Sequence, residues 1–283
     1  MAEEKTNEQK ARCLSRYYFD LAKRWWGYTW AAKLLVFLIG IPAMFLTENS
    51  AWFAVIAGVF VFLGEAASIR SNDKKSIAER LLRKLDLNES FGWPISRLEI
   101  ADAVVSLSRK GQSKFEGTET STDYFASPND LGWRRAMENL QESAWWSKHL
   151  ARSMGSIILT LTVLLSATSL VLLVFFSLRS PAAGTLTTVN RIVISVLLLT
   201  VSLGLIPLAR NYNSFSQRCA LSEKAATDLM GSDNDETNSA IKAWNEYHLP
   251  RSTAPLIPTR LWKWKEKGLN KAWNELVAEK NNG

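Results

Sequence analysis

His149 and His248 are the only histidines of this chain, and Cys13 and Cys219 are its only cysteines. With unnamed carboxylates the histidines would make a two-histidine metal site, but no ligand-spaced motif supports one. There is no Walker-type glycine loop, Cys-x-x-Cys pair, His-Glu-x-x-His run or Gly-x-Ser-x-Gly run. His149 follows Trp145 and Trp146 closely, which fits a residue at a membrane interface. The thiols do not form a disulfide framework and read as ordinary reduced cysteines. This inventory argues against an enzyme and implies neither a metal nor a cofactor.

Glu65 stands out because it lies inside an apolar run. Carboxylates in such runs face a bundle interior or an aqueous cavity. It is either a pore-mouth or gating charge, or an interfacial carboxylate with a basic partner such as Lys33, which snorkels to the interface. Thr162, Ser166 and Ser169 recur at i, i+4 and i+7, and Thr160 and Thr168 broaden the polar edge. Such a stripe would line a narrow aqueous path in an oligomer. It would equally bond across packed helices or back to its own carbonyls. Ala54 and Gly58 make a small-xxx-small pair that permits close helix approach. Pro42 and Pro207 predict kinks.

The elements that must position these residues are four apolar stretches in two tight pairs: Trp30–Leu46 with Ala51–Ile69, and Met154–Leu178 with Thr187–Ala209. About 20 apolar residues rising 1.5 Å each cross a ~30 Å hydrocarbon core. The fold class is therefore an all-α membrane protein, with four transmembrane helices in two hairpins and helical cytoplasmic segments. The chain divides into an N-terminal arm (1–29), hairpin one (30–69), a middle region (70–153), hairpin two (154–209) and a helical tail (210–283).

Of 34 Lys and Arg residues, only Arg179 and Arg191 lie beyond the far ends of the hairpins. The positive-inside rule then places both termini and the middle region in the cytoplasm, as expected for a multi-pass protein of a bacterial inner membrane. Trp25, Trp26 and Trp30 mark the interface before helix one, and Trp145 and Trp146 do so before helix three. The net charge of +7 reads as topology charge that attracts anionic headgroups of the lipid bilayer, with nucleic acid an unlikely partner. The first ~25 residues are polar and no cleavage site follows, so helix one is expected to be an uncleaved anchor.

Spacing predicts helices over Asn7–Trp30 and, past Arg70, along Ile77, Leu81, Leu82 and Leu85. A breaker follows at Asn88–Ile95, and Ser96 with Glu99 reads as a capping box for a helix to about Arg109. Lys110–Asn129 reads as a loop, and Asp130 as the cap of a helix from Leu131. Helix four should extend over Tyr212–Met230. Asp233–Glu236 should cap the next helix, and Pro250, Pro255 and Pro258 should break the chain before a basic helix over about Thr259–Lys280. In that last helix, Leu261, Trp262, Leu269, Trp273 and Leu276 share an apolar face, with Lys263, Lys265, Lys267 and Lys271 supplying charge. It is either a membrane-surface helix or one packed on the cytoplasmic bundle with solvated lysines.

Four local stretches carry a family likeness: Lys84-Leu85-Asp86 through Phe91-Gly92-Trp93-Pro94-Ile95-Ser96, Tyr124-Phe125-Ala126-Ser127, Glu138-Asn139-Leu140-Gln141-Glu142-Ser143-Ala144-Trp145-Trp146-Ser147, and Ala254-Pro255-Leu256-Ile257-Pro258-Thr259. With the paired spans, the chain resembles the S-4TM family, four-transmembrane pore-forming effectors of bacterial conflict systems. The resemblance implies an effector that forms a homo-oligomer, answers a nucleotide second messenger made by a signalling partner, and damages the inner membrane in antiphage defence. It brings no catalytic residues. Arg134 and Arg135 would contact a phosphate, since guanidinium groups and helix starts favour anions; solvated topology charges explain them as well. The alternative is a membrane-anchored sensor or scaffold recruiting a cytosolic partner.

Overall fold

The computed structural model describes residues 6–43, 46, 50–107, 111, 127–179, 183–232 and 234–282. Among them every regular element is a helix: α1 (Asn7–Ala43), α2 (Ser50–Phe91), α3 (Arg97–Val105), α4 (Trp133–Leu178), α5 (Ala183–Ser202), α6 (Leu205–Met230), α7 (Thr237–Thr253) and α8 (Thr259–Asn282). The apolar stretches lie in four helical segments long and apolar enough to cross a membrane. The protein is an all-α, multi-pass membrane protein.

Two compact units emerge. A spanning unit comprises Ala22–Asn72 and Ser153–Asn211; a flanking unit comprises Met1–Leu21, Asp73–Arg152 and Tyr212–Gly283. In the spanning unit α1 and α2 approach closely where side chains are small. Thr29 Oγ1 donates to the Gly64 carbonyl at 3.4 Å, and a Cβ at Gly64 would meet that of Ala32 at 3.2 Å. Ser71 Oγ, further along, donates to the Ala22 carbonyl at 2.9 Å.

The flanking unit has its own apolar core. Ala11, Leu14 and Tyr18 of α1 pack with Ala78, Leu81 and Leu85 of α2 and with Ile100 and Ala103 of α3. The Tyr18 hydroxyl donates to the Ala103 carbonyl at 2.7 Å, so the ring is buried without stranding its polar end. Elsewhere in the unit, α4 buries Met137 and Leu140, α6 buries Tyr212 and Phe215, and α7 buries Trp244 and Tyr247.

The helix ends correct several expectations. The breaker after α2 turns on Gly92, whose φ of +71° is open to glycine and strained for other residues. Ser96 caps α3 by accepting from Leu98 N at 3.2 Å, but Glu99 does not complete a capping box. Its carboxylate lies 3.2 Å from Lys84 Nζ instead. The helix also stops at Val105 rather than Arg109. Asp130 does not cap α4, which starts two residues later than expected, after a Leu131–Gly132 turn held by Gly132 N donating to the Ser90 carbonyl at 2.9 Å.

The expected fourth span is interrupted at Leu203–Gly204, where Gly204 has φ +61°. The break is therefore at a glycine rather than at Pro207. Pro207 falls in the first turn of α6, where a missing N–H removes no intrahelical bond. Lys33 Nζ donates to the Ser202 carbonyl at 3.1 Å, placing a cation on the free carbonyls that end α5. Pro250 lies inside α7, and the chain breaks only after Thr253. Asp235 accepts from Thr237 N at 3.0 Å ahead of that helix, so one residue of the expected Asp233–Glu236 signal does the work. The Lys110–Asn129 loop lies largely outside the described residues.

Candidate functional site

The spanning unit places the expected pore residues on different surfaces. Thr162 and Ser169 are buried, and each hydroxyl donates at 2.8 Å to its own helix, to the Ile158 and Leu165 carbonyls. Ser166 between them is half-buried. Ser195 and Thr200 of α5 do the same toward Arg191 and Val196 at 2.9 and 3.0 Å. Sequence reading missed these two, although each is a lone hydroxyl in an apolar run. Such back-bonding satisfies a hydroxyl without any water.

Ala54, Gly58 and Glu65 lie elsewhere. At 100° per residue they fall within one narrow sector of α2. Ala54 and Glu65 are exposed, and nothing lies within 4 Å of a Cβ built at Gly58. The close approach inside the chain is made by Gly64 and Ala32 instead. The Thr29–Gly64 contact sets Glu65 level with Tyr28 and Trp30. Its expected partner Lys33 is on Ser202. Trp26 and Trp30 meet edge to face at 5.6 Å, and Arg70 lies 4.9 Å over Trp25, so those indoles form a half-buried belt.

Trp145 differs from the others in this group. It is buried in the flanking unit, its ring 5.2 Å from that of Trp273 and 4.6 Å from that of His149, which leaves none of it for headgroups. Trp146, next to it, is half-buried. Arg134 donates to the Ser232 carbonyl at 3.1 Å and Arg135 to the Asn129 carbonyl at 2.9 Å. From the start of α4, Arg134 holds the segment after α6 and Arg135 the segment leading into α4; Arg135 Nε is buried with no hydrogen-bond partner among the described residues.

The flanking unit also holds a buried polar cluster that sequence reading did not find. His248 Nε2 lies 3.3 Å from Asp86 Oδ2, and Arg251 reaches Glu79 at 3.5 Å and Asp86 at 3.9 Å. Arg251 also donates to the Tyr247 hydroxyl at 3.2 Å, which lies 3.0 Å from Ser147 Oγ. Lys75 donates to the Ser252 carbonyl at 2.7 Å and to that of Ala254. Arg12 pairs with both Glu8 and Glu89. Burial pushes Asp86 up to about 7 and Glu89 up to about 6, despite the opposing pull of Arg251 and Arg12 respectively. Burial also holds His248 well below its ordinary range, helped by Arg251 and Arg83.

Beside the cluster is a small cavity lined by Asp86, Ser90, Asn139, Ser143, Trp244 and His248 among others, with room for about one water. Asn139 Nδ2 donates to Ser90 Oγ at 3.1 Å, while its Oδ1 is buried with no hydrogen-bond partner among the described residues.

No family model, curated protein or solved structure matches the chain. Three of the four stretches quoted from the sequence are joined by hydrogen bonds, and the fourth bonds to residues outside them. Ser90 and Asn139 bond to each other, Ser127 Oγ donates to Glu138 at 2.6 Å, and Ala254 and Leu256 accept from Lys75 and Tyr212. Tyr124–Ala126 lies outside the described residues. No cluster of His, Cys, Asp and Glu fit to hold a metal occurs among the described residues. The buried cluster joins α1 to α2 through Arg12 and Glu89, α2 to α7 through Asp86, Glu79, His248 and Arg251, and α7 to α4 through Tyr247 and Ser147, groups that would be costly to strand.

Proposed function

We propose that the chain is a signal-activated effector of the bacterial inner membrane that oligomerises to form a pore or disrupt the bilayer in antiphage defence. The observation that carries this reading is the uncovered sector of α2, where Ala54 and Gly58 allow close approach and Glu65 adds a carboxylate. In lipid, helices associate through small residues and polar contacts rather than through apolar burial. A second copy laid on this sector would pack backbone to backbone and give Glu65 a protein environment. The buried hydroxyls of α4 and α5 are satisfied within their own helices, so a water path is expected between protomers.

The activating signal in this reading is a nucleotide second messenger from a signalling partner. Phosphates at Arg134 and Arg135 would compete with the Ser232 and Asn129 carbonyls, and binding would thereby release the segment after α6 and the segment that leads into α4. The test is to induce the chain with an active signalling partner in bacteria and follow membrane potential and propidium uptake. Depolarisation that needs the partner and is lost in Gly58→Leu supports the proposal. An intact potential, with insertion verified, overturns it.

A sensor or scaffold is the second reading, favoured by the flanking unit's own apolar core. It requires the flanking segments to keep function on unrelated spans, a swap that would abolish a pore.

A further inference from the structure

The sequence offers α8 either as a membrane-surface helix or as one packed on its neighbours with solvated lysines, and the burial of Leu261 and Trp273 follows the second. Leu261 and Trp273 are buried, Leu269 is half-buried, and the Trp273 ring lies 5.2 Å from that of Trp145. Leu261, Leu269 and Trp273 are therefore taken up within the flanking unit, while Trp262 and Leu276 at the edges of the apolar face stay 40% and 38% exposed. On the opposite side Arg260, Lys263, Lys267 and Lys271 recur at i, i+3, i+7 and i+11, which aligns them in one ridge. All four are exposed. Trp264 borders the ridge with 69% of its surface exposed, and Lys265 Nζ lies 4.6 Å over its ring. Acidic groups are sparse along it. Glu266 is half-buried on the other side, and Glu275 is at the far end, 3.8 Å from Lys271.

An exposed indole beside a row of cations is what a headgroup layer accepts. The ring favours the boundary between apolar and wet regions, and the cations find phosphates. A chain that crosses a bilayer keeps such a surface tethered within reach, whereas a soluble polyanion must arrive from solution. We propose that the Arg260–Lys271 ridge of α8, with Trp264, is a docking surface for anionic phospholipid headgroups. It binds by charge and one indole, with Leu261 and Trp273 of the apolar face remaining inside the protein. The inference does not depend on pore formation and holds equally for a scaffold.

The test uses the full chain in nanodiscs, with an environment-sensitive label at Asn270→Cys, an exposed position on the same side. Cys13 and Cys219 are buried, and the unsubstituted chain serves as the labelling control. Discs of phosphatidylcholine are compared with discs containing phosphatidylglycerol. Phosphatidylglycerol should blue-shift the label and expose it to quenching by spin-labelled lipid, and high salt should reverse both. Each lysine near an anionic surface multiplies partitioning about five-fold, so Lys263→Gln/Lys267→Gln/Lys271→Gln should lose about two orders of magnitude of it. Circular dichroism of that variant should match the parent, since the three side chains are exposed. Identical emission in both lipids overturns the proposal. So does a shift produced by a soluble oligonucleotide and not by phosphatidylglycerol, which would assign the ridge to nucleic acid.

Discussion

His248 Nε2 and Asp86 Oδ2 lie 3.3 Å apart, both side chains almost fully buried. Both groups are pushed toward their neutral forms, Asp86 up to about 7 and His248 well below its ordinary range. Glu79, Glu89, Arg12 and Arg251 act on the aspartate, and Arg83 and Arg251 on the histidine.

A carboxyl with a raised folded pKa keeps its proton where the unfolded chain has released it. The stability it contributes is full below the ordinary 3.8 and is lost as pH rises toward about 7. Glu89, raised to about 6, acts in the same direction. His248 acts oppositely, because a folded state that keeps it neutral gains as pH rises toward 6.5. Asp86→Asn removes only the aspartate's part. The melting temperature of the variant in detergent should therefore gain on that of the parent as pH rises from about 4 to about 7. Parallel pH profiles for the two proteins would remove Asp86 as a buried titrating group.

How far these relationships were legible in the sequence depends on their range. The spans, the helical flanks and the stop at Gly92 follow from local periodicity and from one residue's backbone freedom. The Asp86–His248 pair joins α2 to α7, and no local spacing marks it. In the sequence His248 is weighed only as half of a two-histidine metal site and Glu89 only as part of the Asn88–Ile95 breaker, and no motif singles out Lys75, Glu79 or Arg251. Ala54–Gly58 looked the same as any small-xxx-small pair; only the structure shows that Gly64 makes the contact within the chain while Gly58 does not. Trp145 sits where an interfacial tryptophan belongs in sequence, and its burial depends on Trp273, far along the chain.

Arg12 joins Glu89 to the cluster, with only 7% of its side chain exposed and 11% of its partner's. Removing one member of a buried pair strands the other, at about 3–5 kcal/mol, whereas replacing both by apolar groups is close to neutral. Arg12→Met should therefore lower stability by that order, and Arg12→Met/Glu89→Leu should recover most of it. Thermal unfolding of the single and double variants checks this, and additive losses would count against the pairing.

Cys219 is buried, and its thiol is pushed up to about 12. Only thiolate reacts with maleimides, so a rise of this size lowers the reactive fraction about a thousand-fold even before access is considered. In the native protein Cys219 should stay unlabelled, and it should react at once after denaturation. Mass spectrometry of labelled peptides reads both states; fast native labelling would show that α6 opens around the thiol.

Gly58 and Gly64 sit on the same helix with opposite surroundings, and that contrast separates folding from association. A Cβ at Gly64 meets Ala32 at 3.2 Å, tighter than ordinary van der Waals contact, while one at Gly58 meets nothing within 4 Å. Gly64→Leu forces α1 and α2 apart and should cost about 1–3 kcal/mol of stability, the range for overpacked contacts. Gly58→Leu should leave the melting temperature of the monomer unchanged, and Glu65→Gln should do the same. Both should weaken self-association measured by cross-linking or by single-molecule photobleaching in bilayers. If Gly58→Leu self-associates as well as the parent, the uncovered sector of α2 is not where copies meet, and the pore reading loses its main support.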